Sequence, residues 1–545
     1  MMLLWMLASA VAGAVSTVPH VHTEAWWWGP LGAAVLAHTV WRQPPWRAAA
    51  CAWAFGTAWM VGGTWWLFIS LHRYGGLPAA LAAASVAALS AALSLYWALA
   101  MGLVARWRTG LARWDVPAFA AAWLAVELAR GQWFTGFPWA VSGYAQVDSP
   151  LAAWAPWVGV YGLGAWVALI GAAWAWAWAW GAGSLRPERS RVSSTLGAAG
   201  PALGVQARAG WRRWRQGQPW PALWPAVWVL VAASSVALLP QAFTRSSGSL
   251  SVSLLQTGVA QDEKFDPKRL DRLLDALQID LRLAQGALVV APETAVPLLP
   301  QDLPASVWAD LASPFTGSGG QRAALLGLPL GTALGGYSNS VVAWSAQGHS
   351  GPAGVAYRYD KHHLVPFGEF IPWGFRWFVD LMHIPLGDFD RGALVQPSYS
   401  FSGHRLAPNI CYEDLFGEEL ARRFHDPLGA PTVLVNLSNI AWFGPTMAID
   451  QHLHISRLRS LELQRPMLRA TNTGATAVID HQGQVRAWLQ PQQRGVLEAQ
   501  AEGREGLTPY AQWAGAYGLL PLWALSVVVL AAAARAARRS TGQGH

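Results

Sequence analysis

Runs of apolar residues near the length of a membrane-crossing helix fill the first 240 residues, and one more closes the chain. They fall at about 1–18, 26–41, 48–71, 77–105, 114–130, 151–181, 223–240 and 513–534. A bilayer core needs roughly 20 apolar residues per helical span, so the pattern predicts about eight membrane helices. The first run lacks a basic leader and is followed almost at once by another, which favours a retained span over a cleaved signal. Between 249 and 510 the period changes. Short β-rich runs (Ser249–Gln256, Ala287–Pro292, Ala323–Leu328, Tyr337–Trp344, Pro431–Leu437, Ala475–Ile479) alternate with helical segments. Within 267–285, Leu270, Leu273, Leu274, Leu277, Leu281 and Ala284 recur at steps of three and four with charged residues between them, which predicts a helix with one face on a sheet. The expected architecture is a multi-span helical membrane domain (1–240), an α/β domain over 245–510, a last span at 513–534 and a short tail at 535–545.

Arginine placement orients the spans. Arg42 and Arg47, then Arg106, Arg108 and Arg113, then the run from Arg186 to Arg215, and finally Arg535, Arg538 and Arg539 occupy alternate connections. By the positive-inside rule those connections are cytoplasmic, with both termini. The segments 19–25, 72–76, 131–150 and 241–512 then face the other side, and the α/β domain is extracytoplasmic. Segment 182–222, Arg-rich with a single acidic residue, reads as a cytoplasmic linker against anionic headgroups.

Composition sharpens this picture. Hydrophobic residues make up 53% and charged residues 12%, which excludes disorder and an ordinary soluble protein. The net charge of +8 is explained by the cytoplasmic loops, so no nucleic-acid partner is expected. The 36 tryptophans suit interfacial belts, the alternating Trp174, Trp176, Trp178 and Trp180 among them. Two cysteines, Cys51 in a span and Cys411 in the polar half, exclude a disulfide framework.

Three strand ends in the α/β half carry reactive groups: Glu293 after an apolar run, Lys361 opening a polar loop, and Cys411 after a short apolar approach. A thiol is a poor nucleophile at neutral pH until an ammonium lowers its pKa or a carboxylate takes its proton, and the same ammonium can hold a developing oxyanion. The trio is therefore equipped for acyl transfer through a thioester. The chain has only three lysines against 38 basic residues, so a lysine kept in a polar loop stands out as a compact point charge. Taken singly, each of the three has an ordinary structural explanation, as an ion-pair partner, a solvated charge or a core thiol.

The order Glu–Lys–Cys on an α/β domain resembles the nitrilase superfamily. The strings YDKHHLVPFGEFIP (359–372), NICYEDLFGEE (409–419), NLSNIAWFG (436–444) and RATNTG (469–474), with the flanking spans, resemble the bacterial apolipoprotein N-acyltransferases. That resemblance covers essentially the whole chain and implies an αββα sandwich. It implies transfer of an sn-1 acyl chain from a phospholipid such as phosphatidylethanolamine, through a Cys411 thioester, to the amine of a diacylglyceryl-cysteine on an apolipoprotein. It makes Glu293 the general base and Lys361 the oxyanion partner, shared with the main-chain N–H of Tyr412, and it gives Glu369, Tyr412 and Glu413 supporting roles. Tyr337, Asn339 and Ser438 are expected around the site. The chain departs from the family pattern at Ile440, where Asp is usual, and at Phe265, where Trp is common.

Other residues carry expectations of their own. Trp373, Phe375, Trp377, Phe378, Leu381, Met382 and Ile384 crowd segment 371–385, too many apolar residues for a water-facing surface, and predict a membrane-dipping arm that admits acyl chains. Arg73 and Tyr74 in an outer loop sit where a headgroup approaches. Glu127 and Arg130 predict a local ion pair. His452 and His454 point to different faces of a helix expected at 446–464, so no metal is predicted, and no cofactor. Two rival readings remain: a membrane-tethered amidase or nitrilase acting on a small C–N substrate, and an inactive scaffold or transporter, the latter disfavoured by the scarcity of ionisable residues in the spans.

Overall fold

The computed structural model describes residues 1–181, 220–317, 319–346, 355–379 and 388–542. Helices Met2–Val15, Trp28–Arg42, Pro45–Thr64, Ala79–Leu93, Leu95–Arg106, Ala112–Gln132, Ala155–Gly181 and Trp220–Ser234 precede the α/β half, and Leu520–Gly542 follows it. Among the described residues, four helical stretches are long and apolar enough to cross a membrane: Met2–His20, Ala79–Arg106, Pro150–Ala179 and Leu520–Arg539, with Pro225–Leu238 shorter. The remaining helices of the first 132 residues pack with these in one bundle. Small residues permit the close approach. A Cβ on Gly171 would lie 2.5 Å from the Pro30 carbonyl oxygen.

Two boundaries differ from the sequence expectation. The last apolar run does not form one helix from 513: residues Pro509–Tyr517 make a separate helix, and Gly518, in the left-handed region at φ 58°, turns the chain before the final helix starts. That final helix continues to Gly542, through the arginines expected in a tail. Most of the Arg-rich linker, residues 182–219, lies outside the described residues, and Trp220 already belongs to the next helix.

The tryptophans are not confined to a belt. Trp59, Trp97 and Trp123 interlock inside the bundle, Trp97 and Trp123 with ring centroids 4.3 Å apart. Of the alternating set, Trp176 is buried edge-on against Trp41, while Trp178 is 75% exposed. A helix advances 100° per residue, so neighbours two apart face nearly opposite ways, and Trp176 meets the bundle while Trp178 faces outward. The bulky indoles fill the space between helices otherwise lined by Ala and Gly.

The α/β half contains two six-stranded sheets. One has the order β12-β1-β2-β3-β4-β5, from β1 (Thr244–Gln256), β2 (Leu288–Val290), β3 (Ala323–Thr332), β4 (Gly336–Ser345), β5 (Tyr357–Asp360) and β12 (Gly495–Gly506). The other has the order β11-β10-β9-β8-β7-β6, from β6 (Tyr399–Phe401), β7 (His404–Ile410), β8 (Val433–Ser438), β9 (Met467–Thr471), β10 (Ala477–Ile479) and β11 (Val485–Trp488). Their facing sides interdigitate through Val252, Leu254, Leu288, Val290, Leu406, Ile410, Val433 and Val435. Helices Leu270–Leu283 and Ala305–Thr316 cover the outside of the first sheet, with Leu274, Leu277, Leu281 and Phe315 buried. Helices Ala448–Leu463 and Pro509–Tyr517 contribute Leu463, Tyr510 and Ala514 to the outer layer of the second. Strands β1, β2 and β3 run parallel, as do β7, β8 and β9, so their C-terminal ends gather at one rim.

The α/β half sits directly on the bundle. Tyr412, Leu415, Phe416, Ile440 and Ile449 share one apolar cluster with Trp66, Leu124, Trp139 and Tyr161. Polar contacts fix the seat: the Tyr412 hydroxyl donates to the Gly136 carbonyl (3.1 Å), the Tyr144 hydroxyl to Leu415 (3.0 Å), and Trp66 and Trp139 both donate to Gln451. His454 contacts the Val21 carbonyl (3.2 Å) and Arg73 pairs with Asp262 (3.2 Å). The segments expected on one side of the membrane thus all touch the α/β half, whereas the 42–45 and 106–113 connections meet each other through Arg108 and the carbonyls of Trp41 and Gln43.

Candidate active site

Each of the three reactive residues follows a strand at the same rim. Glu293 lies three residues beyond β2, Lys361 follows β5 and Cys411 follows β7. Cys411 has φ 52°, a left-handed conformation that a side-chain-bearing residue adopts only when its surroundings impose it. The turn lifts the sulfur out of the strand, as a nucleophile elbow does. Ser438, at the end of β8, donates to Sγ at 3.3 Å, and the residue is half-buried rather than sealed.

Glu413 holds that turn. Its Oε2 accepts the Ile410 N–H at 2.6 Å, and its Oε1 accepts the N–H groups of His362 (2.7 Å) and His363 (3.2 Å). The Tyr359 hydroxyl reaches both oxygens at 2.9 Å. One carboxylate therefore ties the residue before Cys411 to the two residues after Lys361.

Lys361 is 1% exposed and lies between two carboxylates, 2.9 Å from Glu369 and 3.4 Å from Glu293. Burial alone lowers an ammonium's pKa, but Glu369 and Glu293 outweigh it and hold Lys361 above the ordinary lysine value, so it is charged. The Asn339 amide donates to both carboxylates, at 2.8 Å to Glu293 and 2.7 Å to Glu369. The Val365 N–H fixes the second Glu369 oxygen, and the Asn439 N–H fixes the second Glu293 oxygen. Glu369 takes the shorter bond to the ammonium, which leaves Glu293 the more available proton acceptor. Burial pushes the Cys411 thiol up to about 12; the Glu293 charge adds to the rise, and Lys361, Ser438 and the Asn439 N–H work against it. At rest the sulfur carries its proton.

Four groups at the site, Lys264, His452, Asp414 and Arg469, escaped the sequence reading. Lys264 is buried and donates to the Glu293 carbonyl at 2.9 Å; burial lowers it to about 8, against the pull of Glu293 and Cys411. Its rarity as one of three lysines was the available signal. Behind Cys411, His452 contacts the Cys411 carbonyl (3.3 Å) and Asp414 (2.9 Å), and Arg469 contacts Asp414 (3.2 Å) and the other His452 nitrogen (3.2 Å). Because arginine only donates, that nitrogen accepts, and the N–H of His452 points at Asp414 and the Cys411 carbonyl. His452 is thus part of the support under the turn. No group of three metal-ligating side chains occurs among the described residues.

The other expected residues fall at varied distances from the chemistry. Tyr412 packs its ring on His363 and Phe416. Tyr337 serves through its main chain, whose carbonyl accepts the Asp390 N–H at 2.6 Å. Ile440 is buried at the seat on the bundle, and Phe265 is half-exposed. Arg73 is paired with Asp262 and stacks over Tyr74, whose ring meets Trp442, so this loop is anchored to the α/β half. In the arm, Trp373 is 99% and Trp377 64% exposed, while Phe378 packs with Leu77 and Ala82 at the start of a membrane helix. Leu381, Met382 and Ile384 lie outside the described residues. Glu127 and Arg130 do not hydrogen-bond to each other. Glu127 accepts from the Ser142 N–H (2.8 Å) and hydroxyl (2.7 Å), and Arg130 donates to the carbonyls of Phe137 (2.8 Å) and Trp139, so both clamp the loop that carries Gly136.

Two facing sheets with helices outside, and a Glu–Lys–Cys set with its acid and ammonium buried at the rim where parallel strands end, define a nitrilase-type carbon-nitrogen hydrolase domain. The carbon-nitrogen hydrolase family model matches residues 270–509, and the model for the apolipoprotein N-acyltransferase N-terminal domain matches residues 12–173. An apolipoprotein N-acyltransferase of Verminephrobacter eiseniae is 46% identical over 94% of this chain and 93% of its own, and one of Ralstonia nicotianae is 42% identical over 98% and 93%. Among solved structures, a carbon-nitrogen hydrolase from Helicobacter pylori aligns with 47% of this chain and 90% of its own at 17% identity and a TM-score of 0.35. The chain belongs to the apolipoprotein N-acyltransferase family, and it is a membrane-associated N-acyltransferase.

Proposed function

We propose that the enzyme moves the sn-1 acyl chain of a phospholipid, phosphatidylethanolamine foremost, onto the amine of the diacylglyceryl-cysteine of an apolipoprotein, with Glu293, Lys361 and Cys411 as the catalytic residues. The observation that carries this reading is the placement of the strained Cys411 turn: the residue beside the nucleophile hydrogen-bonds the loop between two membrane helices. A small-substrate amidase has no need of that seat, and the match of residues 12–173 of this chain to the acyltransferase N-terminal domain speaks against one.

The thiol is protonated at rest, so proton transfer and attack belong to one step. Glu293 takes the thiol proton as sulfur bonds to the ester carbonyl carbon, and the carbonyl oxygen gains the electron pair facing Lys361 and the Tyr412 main-chain N–H. Collapse breaks the bond to the glycerol oxygen, which recovers the proton from Glu293 and leaves as lysophospholipid. The lipoprotein amine then attacks the thioester and gives a proton to Glu293. The carbon–sulfur bond breaks and the thiol is restored. Glu369 neutralises part of the Lys361 charge, and the exposed Trp373 and Trp377 carry the arm into the lipid. The positive-inside pattern supports a domain on the periplasmic face of the bacterial inner membrane, with both termini cytoplasmic.

Incubating the protein with acyl-labelled phospholipid and no acceptor tests the proposal. A labelled species cleaved by hydroxylamine and absent from Cys411→Ala is expected, with mass spectrometry locating the acyl group. Label that survives Cys411→Ala would overturn it.

A further inference from the structure

At the opposite end of β7 from the nucleophile lies a cleft of about 630 Å³ lined by Arg245, Arg405, Arg465, Glu505, Phe243 and Leu428, among others. Its charge is unbalanced. Arg405 pairs with Glu505 at 3.2 Å and Arg245 approaches the same carboxylate at 3.9 Å, so one acid serves two guanidinium groups. The third, Arg465, is 1% exposed and donates to the main-chain carbonyls of Pro431, Leu463, Gln464 and Gly506. Carbonyl dipoles satisfy its N–H groups, and the one acid whose charge reaches it, Glu505, is already shared by Arg405 and Arg245, an expensive state for a buried cation. Burial, then the charges of Arg405 and Arg504, lowers Arg465 to about 9, far below an ordinary arginine. An anion in the cleft would relieve all three.

The cleft also has a position. Phe243 to Arg245 follow the membrane-proximal helix that ends at Leu238, and Glu505 and Gly506 precede helix Pro509–Tyr517, so the chain passes in and out of the α/β half here. Phe243, Pro427 and Leu428 give the lining an apolar side, and Leu428 is 88% exposed. Guanidinium forks over an apolar rim suit a phosphate bearing a lipid tail.

We propose that this cleft is an oxyanion site for a phosphate group, filled by the headgroup of an anionic phospholipid in the leaflet on which the domain rests. This lipid is not the acyl donor. Six residues of strand separate Arg405 from Cys411, roughly 20 Å at ~3.3 Å per residue, whereas an sn-1 ester lies only a few bonds from its own phosphate. The bound lipid acts as a fixed counter-ion that holds the domain to the surface at the point where the chain crosses.

The full-length protein in nanodiscs of phosphatidylethanolamine doped with phosphatidylglycerol supplies the test, read by native mass spectrometry of retained lipid. Wild type and Cys411→Ala, which cannot be acylated, should each keep one phosphatidylglycerol. Arg245→Glu, at an 85% exposed side chain that folding does not need, should weaken retention at least tenfold, and Arg272→Glu, elsewhere on the surface, should not. A parallel melting series in detergent with inorganic phosphate separates the sources. If phosphate stabilises wild type but not Arg245→Glu and no lipid is preferred, the oxyanion site stands and its ligand comes from solution. If Arg245→Glu keeps lipid as well as wild type and phosphate shifts neither protein, the proposal is overturned.

Discussion

Replacing Glu413 with Gln isolates the contribution of one carboxylate to the nucleophile turn. Its Oε1 receives the His362 and His363 N–H groups, its Oε2 receives the Ile410 N–H at 2.6 Å, and Tyr359 bridges the two. An amide has only one acceptor oxygen. If that oxygen stays with the histidine N–H groups, the new NH2 faces the Ile410 N–H, donor against donor, in a buried site. If the amide flips, two N–H groups are orphaned instead, so the first arrangement wins. Leaving one buried donor unmet costs about 1–3 kcal/mol, and the change also removes a charge from the remaining bonds. A loss of about 2 kcal/mol corresponds to a melting shift of roughly 4–8 °C in a domain of this size. Because Ile410 precedes Cys411, the sulfur should also move, and a displacement near 1 Å costs on the order of 100-fold in rate. The assay is single-turnover formation of the hydroxylamine-sensitive acyl-enzyme, measured beside thermal melting on the same preparation. A Glu413→Gln enzyme that melts lower but acylates at the wild-type rate would reduce Glu413 to a stabilising role, and one unchanged in both would refute the hydrogen-bond reasoning.

Further outcomes follow from the same geometry. Alkylation of Cys411 by a small neutral reagent should be slow at pH 7 and rise about tenfold per pH unit up to pH 9, because the thiol is held near 12; a rate already level at pH 7 would reveal a preformed thiolate. Lys264 is lowered by burial from 10.5 to about 8, so the folded state resists its proton. That penalty is complete below pH 8 and disappears as pH rises from about 8 to 10.5, so wild type should gain on the order of 3 kcal/mol relative to Lys264→Met across that window, and parallel denaturation curves would contradict it. Glu369→Gln should slow acylation, since Lys361 then binds Glu293 more tightly and the proton acceptor weakens; faster acylation would invert the assigned roles. Trp377→Ser with Phe378→Ser should slow loading from phospholipid bilayers and spare a small soluble thioester donor, and equal losses on both would remove the arm.

The sandwich was legible because its central strands are short, nearly continuous apolar runs buried on both faces, and because strand ends are where reactive residues collect in parallel sheets. The helix read at 267–285 and the one observed at Leu270–Leu283 coincide for the same reason: Leu274, Leu277 and Leu281 recur on one face and are buried. What sequence spacing hides is contact over long separations. His452 looked like half of a rejected metal pair, yet its partners Asp414 and Arg469 are 38 and 17 residues away, and only folding reveals them. Lys264 is hidden for the same reason: it lies 29 residues before Glu293, whose carbonyl it meets only in the fold. The tryptophans misled for a different reason: the same indole that suits a headgroup layer also fills a helix interface, and composition cannot say which. Glu127 and Arg130 were one turn apart and still chose the loop carbonyls and Ser142 over each other, since a backbone already folded over them offered better geometry.

The antiparallel pairing of β1 with β12 sets Thr244 opposite Gly506, the first residue of the first strand and the last residue of the last strand of the α/β half. Cross-strand partners of this kind lie about 5 Å apart. An enzyme whose two ends nearly touch is a cassette: it could be spliced into the loop of an unrelated helical hairpin without prising that hairpin open. Grafted in this way, the cassette would keep its sandwich but lose Gly136 and the other footholds that the native bundle supplies, and the transplant would show how much of the catalytic power is borrowed from the scaffold beneath it.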